Sequence, residues 1–417
     1  MSIKNMHDAA GRADREAQTA AAEDQESVTA LARDLVRVPS RGGTDDYEPV
    51  LDLMQDWLAA RSLPCRRLAG PDGAVVALAC EVSSGPGPRY VLDACLDTAP
   101  FGDEAAWSRH PLSGDIDGGW LHGRGSADSK TGAAVFAHVA ARLAAQRGDW
   151  SGSMTLLFDV DEHTGRFGGA KACFGGPGAQ PADGVMIGYP GHEHVVTGGR
   201  GCFRARARIR GVSGHSGSSR PGPVSAVSKA AGLISRLDHA ALPGPVPGFP
   251  LPAKLTVTAV SGGEGFSVVP DLAVVSIDVR LTPALDGAGA EALLRAAAAE
   301  TDAAWPGTPA TTLEAVTCWP PFALPGDSPL SSALLAAAAA NGLSPAAKIA
   351  GPSNIGNYLA GLGIPATAGF GVVHQGLHAT DEKVRLDSVP LIQAAYHQAL
   401  LTLLARPGDQ EPSRLER

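Results

Sequence analysis

Apolar and polar positions recur with two different periods along the chain of 417 residues. From Ser27 onward, helical spacing appears in "SVTALARDLVRVPS", in "YEPVLDLMQDWLAARS" and in "TGAAVFAHVAARLAAQ". Short apolar runs that are typical of buried strands lie between and after these segments, in "AVVALAC", "RYVLDACLD" and "SMTLLFDVD". Alternation of this kind indicates an α/β domain, with a mainly parallel sheet and helices on both faces.

The pattern changes near Thr197 to longer alternating strands, "FRARARIRGV" and "LAVVSIDVRLTP", accompanied by two amphipathic helices. We therefore predict an inserted α+β domain at residues 198–318, within a catalytic sheet domain of residues 27–197 and 319–417. Residues 1–26 are polar and Ala-rich without a helical apolar stripe, which predicts a mobile extension. Two domains fit the length, because a single hydrophobic core seldom serves more than about 250–300 residues.

Composition narrows the class of partner. The formal net charge of −9 and the absence of a polybasic cluster argue against nucleic acid, which leaves a small molecule or peptide as the expected substrate. No apolar run is long enough for a membrane span, so no membrane association is expected. Six cysteines are scattered without CxxC spacing and no signal-peptide pattern precedes them, which favours the reducing cytoplasm.

Polar side chains stand where the predicted strands of the sheet domain end. They are Cys95 and Asp97 in "LDACLDTAP", Asp128 in "GRGSADSKTG", Glu162 and His163 in "DVDEHTG", and Tyr189 in "IGYPG". Strand ends of one parallel sheet converge on one crevice, and "VVHQGLHATDEKV" adds His374 and His378 late in the chain. Each residue also has an ordinary structural explanation, since a strand-end Asp often caps a turn and a Cys is often a buried hydrophobe.

In their order and context, these motifs resemble the zinc-dependent aminoacylase and carboxypeptidase family, which includes acetylornithine deacetylase, succinyl-diaminopimelate desuccinylase and glutamate carboxypeptidase. The stretch "WSRHPLSGDIDGGWLHGRGSADSKTG" carries the most specific match, and the resemblance extends over nearly the whole chain after Ser27. "CLDTAP" stands at the family's His-x-Asp-x-x-Pro motif, and Glu162-His163 stands at its Glu-Glu motif. The inserted domain resembles the family's dimerisation lid, which implies a homodimer.

The resemblance implies a metal centre in which some ligands are altered. Carried over by position, one metal keeps Asp128, His163 and His378, which is a complete three-ligand set for a catalytic zinc. The second metal of the family would retain Cys95 and Tyr189 beside the shared Asp128, and a phenol with a pKa near 10 is a poor ligand. We therefore expect one metal per chain, zinc or another divalent ion, with Cys95 and Tyr189 as remnants of a second site.

The same resemblance implies roles for the remaining residues. Glu162 stands at the position of the family's general base. Asp97 stands at the position of the acid that orients the histidine of the first motif. Because Cys95 replaces that histidine in this chain, the function of Asp97 is open. The motif "GVSGHSG" places His215 where the family stabilises an oxyanion in the neighbouring subunit. Three further positions match substrate-binding segments of the family, and they are Arg280, Ser267 and Asn354.

Three functions remain open from the sequence. The first is a metal-dependent amidohydrolase or peptidase that acts on an N-acyl amino acid or small peptide. The second is a non-hydrolytic enzyme for acyl transfer, cyclisation or isomerisation on the same scaffold, since a metal and a base can also polarise a carbonyl without delivering water. The third is a catalytically degenerate binding protein. One more alternative concerns "GHEHVV", where His192 or His194 could replace the missing glutamate ligand.

Overall fold

The computed structural model describes residues 3–176, 178–219 and 222–406, without the side chains of residues 3–14. Its helices are α1 (Ile3–Arg37), α2 (Glu48–Ala59), α3 (Thr131–Ala145), α4 (Gly168–Phe174), α5 (Ala226–Asp238), α6 (Gly287–Ala304), α7 (Pro329–Ala340), α8 (Ile355–Gly361) and α9 (Val389–Leu403). No helix in this described part of the chain is long and apolar enough to cross a membrane.

The strands are mostly short. They are β1 (Cys65–Ala69), β2 (Val75–Ser83), β3 (Arg89–Cys95), β4 (Ile116–Asp117), β5 (Trp120–His122), β6 (Ser153–Asp159), β7 (Gly184–Ile187), β8 (His194–Gly199), β9 (Gly201–Arg210), β10 (Gly214–His215), β11 (Lys254–Gly262), β12 (Val268–Val269), β13 (Leu272–Leu281), β14 (Thr312–Trp319), β15 (Phe322–Ala323), β16 (Ala346–Ala350), β17 (Ala366–Ala368), β18 (His374–Gln375) and β19 (Lys383–Arg385).

The chain divides into two compact units. Unit 1 comprises the described residues of 1–197, 324–348 and 363–417, and unit 2 comprises those of 198–323 and 349–362. The predicted domain boundaries placed residues 349–362 in the sheet domain, whereas the structure places them in unit 2. The segment contains α8, which contacts β14 and β15 of unit 2, so the chain enters unit 2 a second time. A short helix with few apolar positions carries no sequence signal that assigns it to either unit.

The largest sheet lies in unit 1, with strand order β1-β2-β6-β3-β7-β17. The pairs β3–β6, β3–β7 and β7–β17 are parallel, and the two pairs that involve β2 are antiparallel. Helix α3 contacts β2, β3 and β6 from one face, and α1 and α9 pack on α3. Helix α4 contacts β1, β2 and β6. This is the expected α/β architecture, and the near-continuous apolar runs of β3 and β6 follow from burial on both faces.

Part of the predicted N-terminal extension is helical and packed. Ala17, Ala20 and Ala21 of α1 are buried, and Gln18 donates a hydrogen bond to the carbonyl of Ala340 at 3.2 Å. Alanines at spacings of three and four residues form one face of a helix, although their side chains are too small to show as an apolar stripe. The predicted mobile extension of residues 1–26 is therefore replaced, around residues 17–21, by a helix packed on the rest of unit 1.

Unit 2 is built on an antiparallel four-stranded sheet with the order β11-β13-β9-β14. Burial alternates along the whole of β13 and along β9 from Phe203 onward, and the buried positions face α5 and α6. The other face carries charged and hydroxyl side chains. Strict alternation of this kind is expected of an antiparallel sheet that is covered on one face only.

Candidate metal centre

Three neighbouring strands of unit 1 deliver the candidate site residues. In the sheet β3 lies between β6 and β7, and all three strands run parallel, so their carboxyl ends meet at one edge. Cys95 ends β3, Glu162 and His163 follow β6, and Tyr189 follows β7. The convergence predicted from the strand ends is therefore present in the structure.

Asp128 and His378 complete a compact group with His163. Asp128 precedes α3, and one of its carboxylate oxygens, Oδ2, lies 2.9 Å from Nε2 of His378 and 3.6 Å from Nε2 of His163. One donor atom from each of the three residues lies within 4.8 Å of the others. One carboxylate and two imidazoles at this spacing form the donor set that a zinc ion with an open coordination position uses.

His163 gives the strongest indication that this group fits a metal. Its side chain is 5% exposed, and neither ring nitrogen has a hydrogen-bond partner among the described residues. Instead Nδ1 lies 3.5 Å from Asp97 and 3.4 Å from Glu162, and Nε2 faces Asp128. A buried polar atom without a partner is costly, and a metal ion bound by the ring would remove that cost.

The local electrostatics also favour a cation. Burial alone would raise the pKa of Asp128, but the neighbouring imidazoles of His163 and His378 outweigh burial and hold the pKa well below its usual value. Burial opposes the charged form of His163, yet Asp128, Asp97 and Cys95 together raise the pKa of its imidazole. Both pKa shifts show that acidic groups are concentrated around His163. The negative electrostatic potential of these groups would attract a divalent cation.

Asp97 has a structural task that the sequence left open. Its carboxylate accepts the backbone N–H groups of Glu162 at 3.3 Å and His163 at 2.9 Å. Asp97 itself is completely buried. It therefore fixes the turn after β6, from which Glu162 and His163 extend, and it does so independently of the residue at position 95.

Glu162 and Tyr189 form a direct pair. The phenol of Tyr189 donates a hydrogen bond of 2.7 Å to Oε1 of Glu162. Burial, followed by the negative charge of Asp128, raises the pKa of Glu162 to about 7. Burial also raises the pKa of Tyr189 well above its ordinary value, so the phenol is a donor and not an anionic ligand. A carboxyl with a pKa near neutrality is suited to taking up and returning a proton.

Cys95 lies in the same cluster. Its Sγ is 3.0 Å from the hydroxyl of Ser129 and 3.7 Å from Oδ1 of Asp128. Cys95, Glu162 and His163 form a second group whose donor atoms lie within 4.8 Å of one another. Burial, followed by the charge of Asp128, raises the pKa of the Cys95 thiol well above its ordinary value, so the neutral thiol is favoured in the absence of a cation.

Two buried residues that the sequence analysis missed support Asp128. Glu382 accepts the backbone N–H groups of Ala127 at 2.9 Å and Asp128 at 3.3 Å, and it forms a 2.6 Å ion pair with Arg124. Both side chains of the ion pair are almost completely buried. The available signal was the position of Glu382, four residues after His378 in one polar segment, although nothing local distinguishes this acid from a solvated one.

The remaining predicted site residues lie in unit 2. His215 in β10 is exposed and pairs with Val268 of β12, next to Ser267. Arg280 contacts Asp278 and Ser353, as described below. The side chain of Asn354 accepts the N–H of Gly356 and caps α8, and its contact with a substrate stays a prediction.

His192 and His194 lie outside both donor groups that the described residues form. With Lys348 and His374 they line a separate cavity of about 400 Å³. The alternative in which one of these histidines replaces the missing glutamate ligand stays a prediction.

Comparisons with known proteins agree with this geometry. The model of peptidase family M20/M25/M40 matches residues 91–402. A succinyl-diaminopimelate desuccinylase from Cereibacter sphaeroides is 28% identical over 380 residues, which cover 89% of this chain and 97% of the relative.

Solved structures share the fold at lower identity. An M20 family metallo-carboxypeptidase from Sulfolobus solfataricus has a TM-score of 0.72 at 16% identity, over 90% of this chain and 98% of that one. A dinuclear metal-binding peptidase of the same family from Bacillus subtilis has a TM-score of 0.68 at 16% identity, over 91% of this chain and 98% of that one.

Proposed function

The chain belongs to peptidase family M20/M25/M40 and is a metal-dependent hydrolase, and from this premise we propose that it cleaves the amide bond of an N-acyl amino acid or small peptide. The observation that carries the proposal is the group Asp128, His163 and His378 beside Glu162, a buried carboxyl with a pKa of about 7. A metal donor set next to a proton acceptor is the minimum that metal-dependent hydrolysis of an amide requires.

We propose that Asp128, His163 and His378 hold a single metal, and the chemistry of these ligands favours zinc. When bound, the metal supplies Lewis-acid polarisation of the scissile carbonyl. Two features support one ion over two. Tyr189 donates a hydrogen bond to Glu162 and stays protonated, and Cys95 stands where the resemblance implies an imidazole.

Glu162 is proposed to move the proton. In its ionised form it accepts a proton from the attacking water, and in its neutral form it delivers that proton to the nitrogen of the leaving amine. The hydrogen bond from Tyr189 orients one carboxylate oxygen, Oε1, and leaves the other for the water. Asp97 holds the backbone of Glu162 in place by accepting its N–H.

The substrate class is argued from relatives and from unit 2. The desuccinylase relative covers most of this chain, which favours an N-acyl amino acid over a longer peptide. Arg280 is proposed to pair with a substrate carboxylate, because a guanidinium matches carboxylate geometry. Ser267 and His215 lie together at the β10–β12 pair and are proposed to contact the substrate as well.

A homodimer through unit 2 is proposed, with His215 serving the site of the partner subunit. Strand β11 is a sheet edge and is largely exposed, and three apolar side chains in and beyond it, Val260, Phe266 and Val268, are also exposed. An exposed edge strand bordered by apolar side chains is suited to pairing with a second chain.

All six cysteines are free thiols, which supports the proposed location in the reducing cytoplasm.

The test is direct hydrolysis. The purified chain is assayed with zinc against N-succinyl, N-acetyl and N-formyl derivatives of a set of amino acids and against dipeptides, with amine release as the readout. Release of the free amino acid from at least one class, and its loss in Glu162→Gln, is the expected result. No release from any member of the panel by metal-loaded enzyme would contradict the proposed substrate class.

A further inference from the structure

Arginines alternate along one strand of unit 2. The segment "FRARARIRGV" in β9 exposes Arg204 and Arg206, while Phe203, Ala205 and Ala207 between and beside them are buried. Because successive side chains of a strand point to opposite faces, the arginines lie on the face that α5 and α6 do not cover. The exposed charges therefore occur together on one surface.

This surface is concave. It forms a cavity of about 640 Å³, which is large enough for a small organic molecule. Five of its lining side chains are basic, namely Arg200, Arg204, Arg206, Lys254 and Arg280. Among the described residues that line it, Asp278 is the single acid, and three hydroxyl groups, of Thr256, Thr258 and Ser276, complete the polar lining.

Asp278 fixes two of the arginines side by side. Its Oδ2 lies 3.0 Å from Nε of Arg204, and its Oδ1 lies 2.8 Å from Nε of Arg280. Both contacts use the Nε atom and leave the terminal guanidinium nitrogens for other partners. Arg280 donates from one of them to Ser353 at 3.3 Å, whereas Arg204 makes no further hydrogen bond within the described residues. One carboxylate thus arranges two adjacent guanidinium groups for an oxygen-rich ligand.

The remaining positive charge is not neutralised. Lys254 lies directly across from Arg280 in the sheet, and Arg200 donates to backbone carbonyl groups alone among the described residues. Burial, followed by the positive charge of Arg280, lowers the pKa of Arg200, and the negative charge of Asp278 only partly offsets these two effects. Glu314 lies across from Arg206 on β14, yet no ion pair forms between them in the described part of the chain.

We propose that this cavity binds a small molecule that carries two or more anionic oxygen groups, either carboxylates or phosphates. A ligand with one charge would leave most of the cluster unpaired, whereas two groups can occupy the Arg204–Arg280 pair and the neighbouring Lys254. The inference deepens the proposed function and rests on it in one respect. Because Arg280 is also proposed to hold a substrate carboxylate, the substrate itself would be a polyanion.

Binding is measured by titration calorimetry on the full-length, metal-loaded chain. The probes are tricarballylate for the carboxylate class and fructose 1,6-bisphosphate for the phosphate class, with acetate at matched ionic strength as the monovalent control. At least one probe is expected to bind ten-fold or more tightly than acetate, and the probe that binds identifies the class. If neither probe binds better than acetate, the proposal is overturned. No turnover is needed, so this result is independent of whether the proposed hydrolysis is found.

Two variants locate the site. Arg204→Gln with Lys254→Gln should weaken binding of the polyanion ten-fold or more, while the matched control Arg236→Gln with Arg295→Gln removes the same charge from α5 and α6 and should not. Equal losses of affinity in both double variants would mean that the ligand responds to positive charge in general, and would overturn the proposed site.

Asp278→Asn adds net positive charge but releases both guanidinium groups, so weaker binding is expected. Tighter binding would show that no arranged site exists.

Discussion

At the scale of single residues, the adjacency of Glu162 and His163 separates two tasks. Neighbouring side chains after a strand diverge, and Asp97 holds the backbone of both. His163 turns its ring towards Asp128, while the carboxyl of Glu162 meets Tyr189. One residue can therefore hold a metal while its neighbour handles a proton, and the two roles should separate on substitution.

Glu162→Gln should keep the metal and lose turnover by roughly 10²–10⁴-fold, because it removes a proton acceptor and none of the three proposed ligands. His163→Ala should lose the metal together with activity. Metal content by elemental analysis and initial rates on the same preparations check both outcomes. Wild-type rates in Glu162→Gln would remove Glu162 from the mechanism.

Tyr189→Phe tests whether the phenol positions Glu162. The variant deletes one hydrogen bond to a carboxylate, an interaction worth about 1.5–3 kcal/mol, so kcat should fall about 10-fold to 100-fold with little change in KM. Tyr396→Phe is the control, because it removes another buried hydroxyl, which is bonded to the carbonyl of Phe370. A fall in KM alone, or equal effects of the two variants on kcat, would assign Tyr189 to packing.

At the scale of elements, helix α9 carries a pH-dependent contribution to stability. His397 is buried, with Nε2 2.9 Å from Oε1 of Gln146, and burial followed by the charge of Arg142 lowers its pKa to about 4. The folded imidazole stays neutral between pH 6.5 and 4, whereas the unfolded one binds a proton in that range. The free energy of unfolding therefore falls as the pH is lowered through this window.

Between pH 7.5 and 5.0 this residue should account for about 2 kcal/mol of lost stability. Urea unfolding at the two pH values checks it, since His397→Gln should reduce the difference by about that amount whatever its effect at pH 7.5. His239→Gln, at the exposed end of α5, should leave the difference unchanged. An unaltered pH difference in His397→Gln would mean that the buried imidazole is protonated in the folded state.

Some of the strands and helices could be predicted from the sequence, and others could not. Strands β3 and β6 were predictable because burial on both faces leaves an apolar run, and the crevice followed from their parallel order. The contact between Glu162 and Tyr189 was not predictable, because β6 and β7 are neighbours in sequence but are separated in the sheet by β3. Similarly, the buried face of α1 was hidden because alanine side chains are too small to show as an apolar stripe. The return of residues 349–362 to unit 2 depends on tertiary packing that leaves no periodic signal.

At the scale of the whole molecule, the resemblance implies that a site is complete only in a dimer. His215→Ala and Glu162→Gln chains should each be inactive alone, yet their heterodimer contains one site with both residues intact. After exchange of subunits, a statistical mixture should recover about a quarter of the wild-type activity. Mass spectrometry of intact dimers shows whether exchange has occurred. Full exchange without recovered activity would mean that His215 does not serve the partner subunit.

Family membership gives the reaction class, but the number of metals depends on residues that depart from the family pattern. The solved relative from Bacillus subtilis is a dinuclear metal-binding peptidase, whereas the donor set assembled here by Asp128, His163 and His378 accommodates one ion. The second group, of Cys95, Glu162 and His163, shares His163 with the first and includes the proposed base. Occupation of the second group would therefore withdraw Glu162 from proton transfer.

Anomalous diffraction from a crystal of the protein purified without added metal, recorded on both sides of the zinc edge, would count the metals and identify their ligands. We expect one anomalous peak per chain, bonded to Asp128, His163 and His378, with Glu162 close by and not coordinated. Two peaks per chain, or one peak bonded to Cys95 and Glu162, would contradict it.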